Sequence, residues 1–188
     1  SWSYNRSTNR NVPTDRGGPG GIIISALGLD PTVPVYDQNG KYQYASYDQR
    51  FLTNPLAEAV EGYDRDFTNR LFGTTALTFF ILKDLKFRTS LGVDVVNASR
   101  TTFYNSYTYL GRQYGRELQK ANRNTANLLN ENILTYNKQL APGHNLDVTL
   151  GYTYQKELNR FESNATRGLP SDDIDAVNMQ NGSRPLVP

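Results

Sequence analysis

Apolar and polar positions alternate along two long stretches of the chain. Over residues 85–97, Leu85, Phe87, Leu91, Val93 and Val95 fall on one face, and Lys86, Arg88, Ser90, Gly92 and Asp94 on the other. Residues 144–158 repeat the pattern, with Leu146, Val148, Leu150, Tyr152 and Tyr154 opposite Asn145, Asp147, Thr149, Gly151 and Thr153. Sorting with a period of two predicts β-strands with one apolar face, and about a dozen residues exceeds the usual strand of about 5–6. At about 3.3 Å per residue, a tilted strand of that length crosses the apolar core of a bilayer.

Each stretch has a partner upstream. Residues 68–82 carry Leu71, Leu77, Phe79 and Ile81 on one face, so 68–97 is expected to form a hairpin. Cross-strand neighbours share a face, and both strands present odd positions to the apolar side. That parity favours Ile81 opposite Leu85 and a three-residue loop Leu82-Lys83-Asp84, with Asp84 left-handed, a conformation Asp tolerates. The second hairpin is expected over 123–158, turning near Ala141-Pro142-Gly143. Its first strand places Leu128, Leu134 and Tyr136 on one face, interrupted by Asn130 and Asn132.

The remaining stretches read as long connections: 1–67 as a strand end (Trp2 and Tyr4 on one face) and a long loop, 98–122 and 159–188 as polar loops. Within 11–66, a short helix is expected at 22–29, ended by Asp30-Pro31, and Asn39-Gly40 signals a turn flanked by Tyr36 and Tyr42. Short turns on one side and long loops on the other are the arrangement of outer-membrane barrels. The fold class is therefore all-β: antiparallel hairpins of a large transmembrane β-barrel with long extracellular loops. Four strands cannot close a barrel, so the chain reads as an excerpt of a larger protein.

Composition fits this picture. Of 188 residues 37% are hydrophobic, and 13 are Tyr. Barrel strands need apolar residues only at alternate positions. No run of about 18 apolar residues predicts a membrane helix. The net charge of +2 and the lack of a basic stripe point away from nucleic acid. There is no cysteine, and His144 is the only histidine, so no metal or cofactor constellation is expected. Asp172, Asp173 and Asp175 lack the Gly and terminal Glu of a calcium loop and read as a solvated acidic stretch. Gly17 to Gly21 lacks the Lys-Ser/Thr of a phosphate loop. No catalytic residue is expected.

At this point the chain resembles a known family. Pro34-Val35-Tyr36-Asp37-Gln38-Asn39-Gly40-Lys41-Tyr42, then Asn54-Pro55-Leu56-Ala57, carry the likeness. It continues through Ile81-Leu82-Lys83-Asp84-Leu85-Lys86-Phe87, Gly92-Val93-Asp94 and Glu131-Asn132-Ile133-Leu134-Thr135-Tyr136 to His144-Asn145-Leu146. Together these resemble the barrel of SusC/RagA-type TonB-dependent outer-membrane transporters. The resemblance implies a 22-stranded barrel in the bacterial outer membrane, with a plug domain absent from this chain. It implies import of large nutrients, oligosaccharides or peptides. The implied partners are a SusD-like surface lipoprotein, the TonB complex acting through the plug, and outer-membrane lipid. Aromatic faces stack on sugars, which makes the loop residues Tyr104, Tyr107 and Tyr109 the candidate substrate contacts. Packing within the loops is the plainer role for each. Tyr152 and Tyr154 suit an interfacial girdle near the long-loop end. Lys86, Arg88 and Asp94 face the inferred lumen, to guide substrate, touch the plug or pair across the sheet. The alternative is a secreted soluble β-sandwich carbohydrate-binding module.

Overall fold

The computed structural model describes residues 1–14, 21–44 and 53–186. Most of the Gly17 to Gly21 cluster lies outside them. Six strands form one sheet in chain order: β1 (Trp2–Arg10), β2 (Tyr63–Leu82), β3 (Leu85–Tyr104), β4 (Glu117–Ala141), β5 (His144–Arg167) and β6 (Arg184–Leu186). Three short helices, α1 (Ile22–Gly28), α2 (Pro55–Glu61) and α3 (Tyr109–Tyr114), lie in the connections. Neighbouring strands are consecutive throughout, and the described strands make no second sheet. A sandwich needs two facing sheets, so the soluble-module alternative loses its architecture.

The strands outrun their alternating stretches. β2 and β3 have 20 residues each, β4 has 25 and β5 has 24. Polar residues continue the ladder beyond the apolar face because main-chain pairing does not need an apolar side chain. The middle connection shrinks to 105–116. The stretch from residue 159, read as loop, carries β5 on to Arg167 and then two 3-10 turns and β6. Tyr152 and Tyr154 consequently lie well short of the loop end of β5.

At the first turn β2 runs through Leu82 and β3 begins at Leu85, leaving only Lys83 and Asp84 between them. Asp84 is not left-handed; Arg116 is the non-glycine residue with positive φ among those described. A two-residue turn of type I needs no left-handed residue. Farther along the hairpin the parity argument holds: Phe79 stacks on Phe87 at 6.3 Å, and Arg70 grips both oxygens of Asp94 at 2.9 and 2.8 Å. Near the loop end Arg100 makes the same fork on Asp64. Of the three inferred lumen charges, Asp94 pairs across the sheet, with Arg70 as its partner. The second turn is Pro142-Gly143, with Gly143 at φ +80°.

The chain divides into two units. One holds Ser1–Ser7, Thr68–Ala98 and Arg123–Phe161, with both hairpin turns. Its backbone bonds fix the faces. Ser1 exchanges both main-chain hydrogen bonds with Thr74, which places Trp2 beside Gly73 and Tyr4 beside Leu71. Asn137 donates to the carbonyl of Asp84, and Thr89 bonds Asn132, so odd residues of β3 share a face with even residues of β4. Asn137 also bonds Asp147, which sets odd β5 positions on the opposite face and leaves even β5 positions on this one. One apolar face therefore runs across five strands: Trp2 and Tyr4, then Leu71 and Phe79, Leu91 and Val93, Leu134, and Leu150 with Tyr152. Most side chains of this face stay exposed in the sheet: Leu77 55%, Phe79 51%, Leu150 63%. An apolar sheet face this large marks an interaction surface for a membrane or another protein.

The other unit holds Thr8–Phe67, Ser99–Asn122 and Glu162–Pro188. It has a small core of Phe103, Leu118, Leu169 and Val177, with Tyr63, Ile174 and Met179 packed around it.

Candidate functional site

The site lies in this second unit and begins with a turn. The Asp37 carboxylate accepts from the amides of Asn39 and Lys41, both at 2.8 Å, and Gly40 takes φ +75°. The turn brings Tyr36 and Tyr42 together as a β-bridge, their rings 5.3 Å apart. Asn54 fastens it from below. Its Oδ1 caps α2 through the amides of Leu56 and Ala57, while its Nδ2 donates to the carbonyls of Val35 and Gln43. One buried side chain thus serves as helix cap and hairpin anchor.

Tyr107 adds a third ring, edge-on to Tyr42 at 5.7 Å. Tyr36 and Tyr107 are half exposed, at 48% and 39%, and flank the more covered Tyr42. The Tyr42 hydroxyl donates to Glu61 Oε1 at 2.8 Å. Burial, with Glu61 as hydrogen-bond partner, pushes this phenol up to about 12. Tyr44 donates to the Tyr107 carbonyl at 2.7 Å and carries the Arg112 guanidinium 3.6 Å above its ring. Burial raises the Tyr44 pKa as well. Both phenols stay neutral at physiological pH, and the cluster presents flat, uncharged faces.

Glu61 joins this cluster to a pocket of about 290 Å³, lined also by Arg10, Tyr63, Arg65, Phe103 and Asp172. Asp172 is not solvated as its sequence suggested. Its oxygens accept from Arg116 at 2.6 and 3.1 Å, and from the amide and hydroxyl of Ser106 at 2.7 Å each. The Arg116 guanidinium holds this carboxyl down at about 2. An acid with both oxygens so occupied is a structural tie, not a metal ligand. The unit offers stacking faces, an arginine-lined pocket and hydrogen-bonding edges. These suit binding of a polar, ring-containing molecule.

The three tyrosines singled out by sequence fall in different settings. Tyr107 joins the cluster. Tyr109 opens α3, its amide donating to Glu58 Oε1. Tyr104 ends β3. Sequence reasoning missed Tyr36, Tyr42 and Tyr44 as companions of Tyr107, although the Asn39-Gly40 turn flanked by tyrosines was the signal. His144 stands exposed at the start of β5, beside the turn.

No family model matches the chain. It is similar to TonB-dependent receptor P3 of Formosa agariphila, 30% identical over 187 residues, which is 97% of this chain and 18% of that protein. The chain is part of a TonB-dependent receptor. A second relative from the same organism, TonB-dependent receptor P26, is 23% identical over 164 residues, covering 84% of this chain and 16% of that protein. This receptor segment thus spans less than a fifth of the length of the curated relatives it matches. Both matches extend over most of the segment.

Proposed function

We propose that this segment forms part of the wall and outer loops of a TonB-dependent importer in the bacterial outer membrane, of the SusC/RagA type. Its cargo is a large nutrient, an oligosaccharide by preference over a peptide. A SusD-like lipoprotein delivers the cargo at the surface. TonB supplies energy through a plug region encoded elsewhere in the protein. The work is transport, with no catalytic step. The observation that carries the reading is the apolar face shared by five antiparallel strands, each backed by polar and charged residues. That is the lipid-out, water-in pattern of a barrel wall. The exposed rings of Tyr36 and Tyr107 support a sugar as cargo, since stacking needs a flat apolar face beside polar edges.

The test uses the full-length receptor. Leu91 lies on the apolar face and Ser90 on the polar one, where its hydroxyl meets Glu131. Leu91→Arg should cost about 2–4 kcal/mol at mid-bilayer and deplete the folded, heat-modifiable barrel. Ser90→Arg should be mild. A wild-type yield of folded barrel from Leu91→Arg would sink the proposal.

A further inference from the structure

The apolar-face parity of β5 changes character in a definite order. It reads Leu146, Val148, Leu150, then Tyr152 and Tyr154, then Lys156, Leu158 and Arg160. Every one of these side chains is exposed. Ten residue steps separate Leu146 from Lys156, about 33 Å along the strand. A tilt of about 40° reduces that to about 25 Å, the height of the apolar band on outer-membrane barrels. The order of aliphatic, phenolic and cationic residues is that of a hydrocarbon core, an interface and a headgroup layer.

The charges support the same assignment. On the opposite parity, acids and bases are mixed and paired: Arg70 with Asp94, Arg100 with Asp64, Arg167 with Glu117. On the apolar-face parity of β4 and β5, the cations Lys120, Lys138, Lys156 and Arg160 face a single acid, Glu162. The β4 neighbours of Lys156 and Arg160 at that parity are Asn124, Ala126 and Leu128. Two cations at the rim of an apolar face, with no acid opposite them on β4, complement anionic groups from outside the chain.

We propose that Lys156 and Arg160, with Tyr152, Tyr154 and Leu158 between and below them, bind the phosphates of neighbouring anionic lipid headgroups at the membrane surface. The inference rests on the barrel-wall reading above. Four residues along a strand place the two cations about 13 Å apart, so each meets its own phosphate. Arg160 offers a planar fork for phosphate oxygens and Lys156 a point charge. The tyrosine rings below the cations meet the upper acyl chains.

The experiment counts lipids retained by the full-length receptor in native mass spectrometry, after exposure to phosphatidylglycerol or phosphatidylcholine. Wild type should retain several-fold more phosphatidylglycerol. The double variant Lys156→Gln/Arg160→Gln should lose that preference. Lys86→Gln/Arg88→Gln, an equal charge change on the polar face, should keep it. The charge-preserving Lys156→Arg/Arg160→Lys should also keep it. Heat-modifiable migration is read in parallel. A folded barrel whose lipid preference ignores Lys156 and Arg160, or falls equally in the Lys86/Arg88 variant, overturns this proposal alone. A wild-type receptor that never forms a membrane-inserted barrel overturns the reading beneath it.

Discussion

Single residues set the tolerances of this sheet. At Gly73, a Cβ would sit 2.3 Å from the Trp2 ring, which lies across the glycine while its Nε1 donates to Thr75 at 2.9 Å. No side chain fits without displacing the indole. Gly73→Val should therefore destabilise the β1–β2 pairing by about 1–3 kcal/mol, the usual cost of overpacking, and lower the temperature at which the heat-modifiable barrel unfolds. An unchanged transition would mean that Trp2 moves aside freely. Asn130 and Asn132 make a different accommodation. They interrupt the apolar face, but Thr89 donates to Asn132 at 2.8 Å, Asn132 to Asn130 at 2.6 Å, and Asn130 to the Ser90 carbonyl at 3.0 Å. Polar groups on an apolar face cost little when they satisfy one another.

Among the elements, the connection 105–116 and the segment after β5 hold each other. Gly168 donates its amide to the carbonyls of Gly115 and Arg116, and Arg116 takes φ +63° to reach Asp172. A left-handed arginine costs about 1–2 kcal/mol, and the forked ion pair offsets it. Because the folded carboxyl of Asp172 titrates at about 2, below its ordinary 3.8, the pair stabilises fully above that ordinary value. The stabilisation, about 2 kcal/mol for a shift of this size, disappears as pH falls from about 4 to 2. Protection of the Gly168 amide against hydrogen exchange should drop over that window, and Asp172→Asn should remove the drop. Sequence could not foresee this tie. The strands were legible because period two is a local signal, as were the 22–28 helix and the Asp37–Gly40 turn. Residues 159–167 lack alternation, so their strand character, imposed by the β4 ladder, left no mark. Asp172 looked solvated because Arg116 stands far away in sequence. Tyr36 and Tyr107 were likewise visible as residues but invisible as neighbours.

For the whole molecule, the decisive property is that the sheet has two sides and open margins. Along most of its length β5 pairs only with β4, since β6 meets it at Ala165, Thr166 and Arg167 alone. Long unpaired margins beside an apolar face recruit other strands. The isolated chain should aggregate in plain buffer and acquire dispersed β-structure only in detergent, as sedimentation and circular dichroism would reveal. A monodisperse species in buffer would contradict the membrane reading.

The two arginine–aspartate forks between β2 and β3 reach further than their charges. Arg70 with Asp94 and Arg100 with Asp64 are satisfied by the same alignment of the strands. The smallest slip that keeps the apolar residues on one face is two positions, and it breaks both forks together. On the apolar face the same slip parts the stacked Phe79 and Phe87, a contact less directional than a fork. The polar face is therefore where the native register of this hairpin is written.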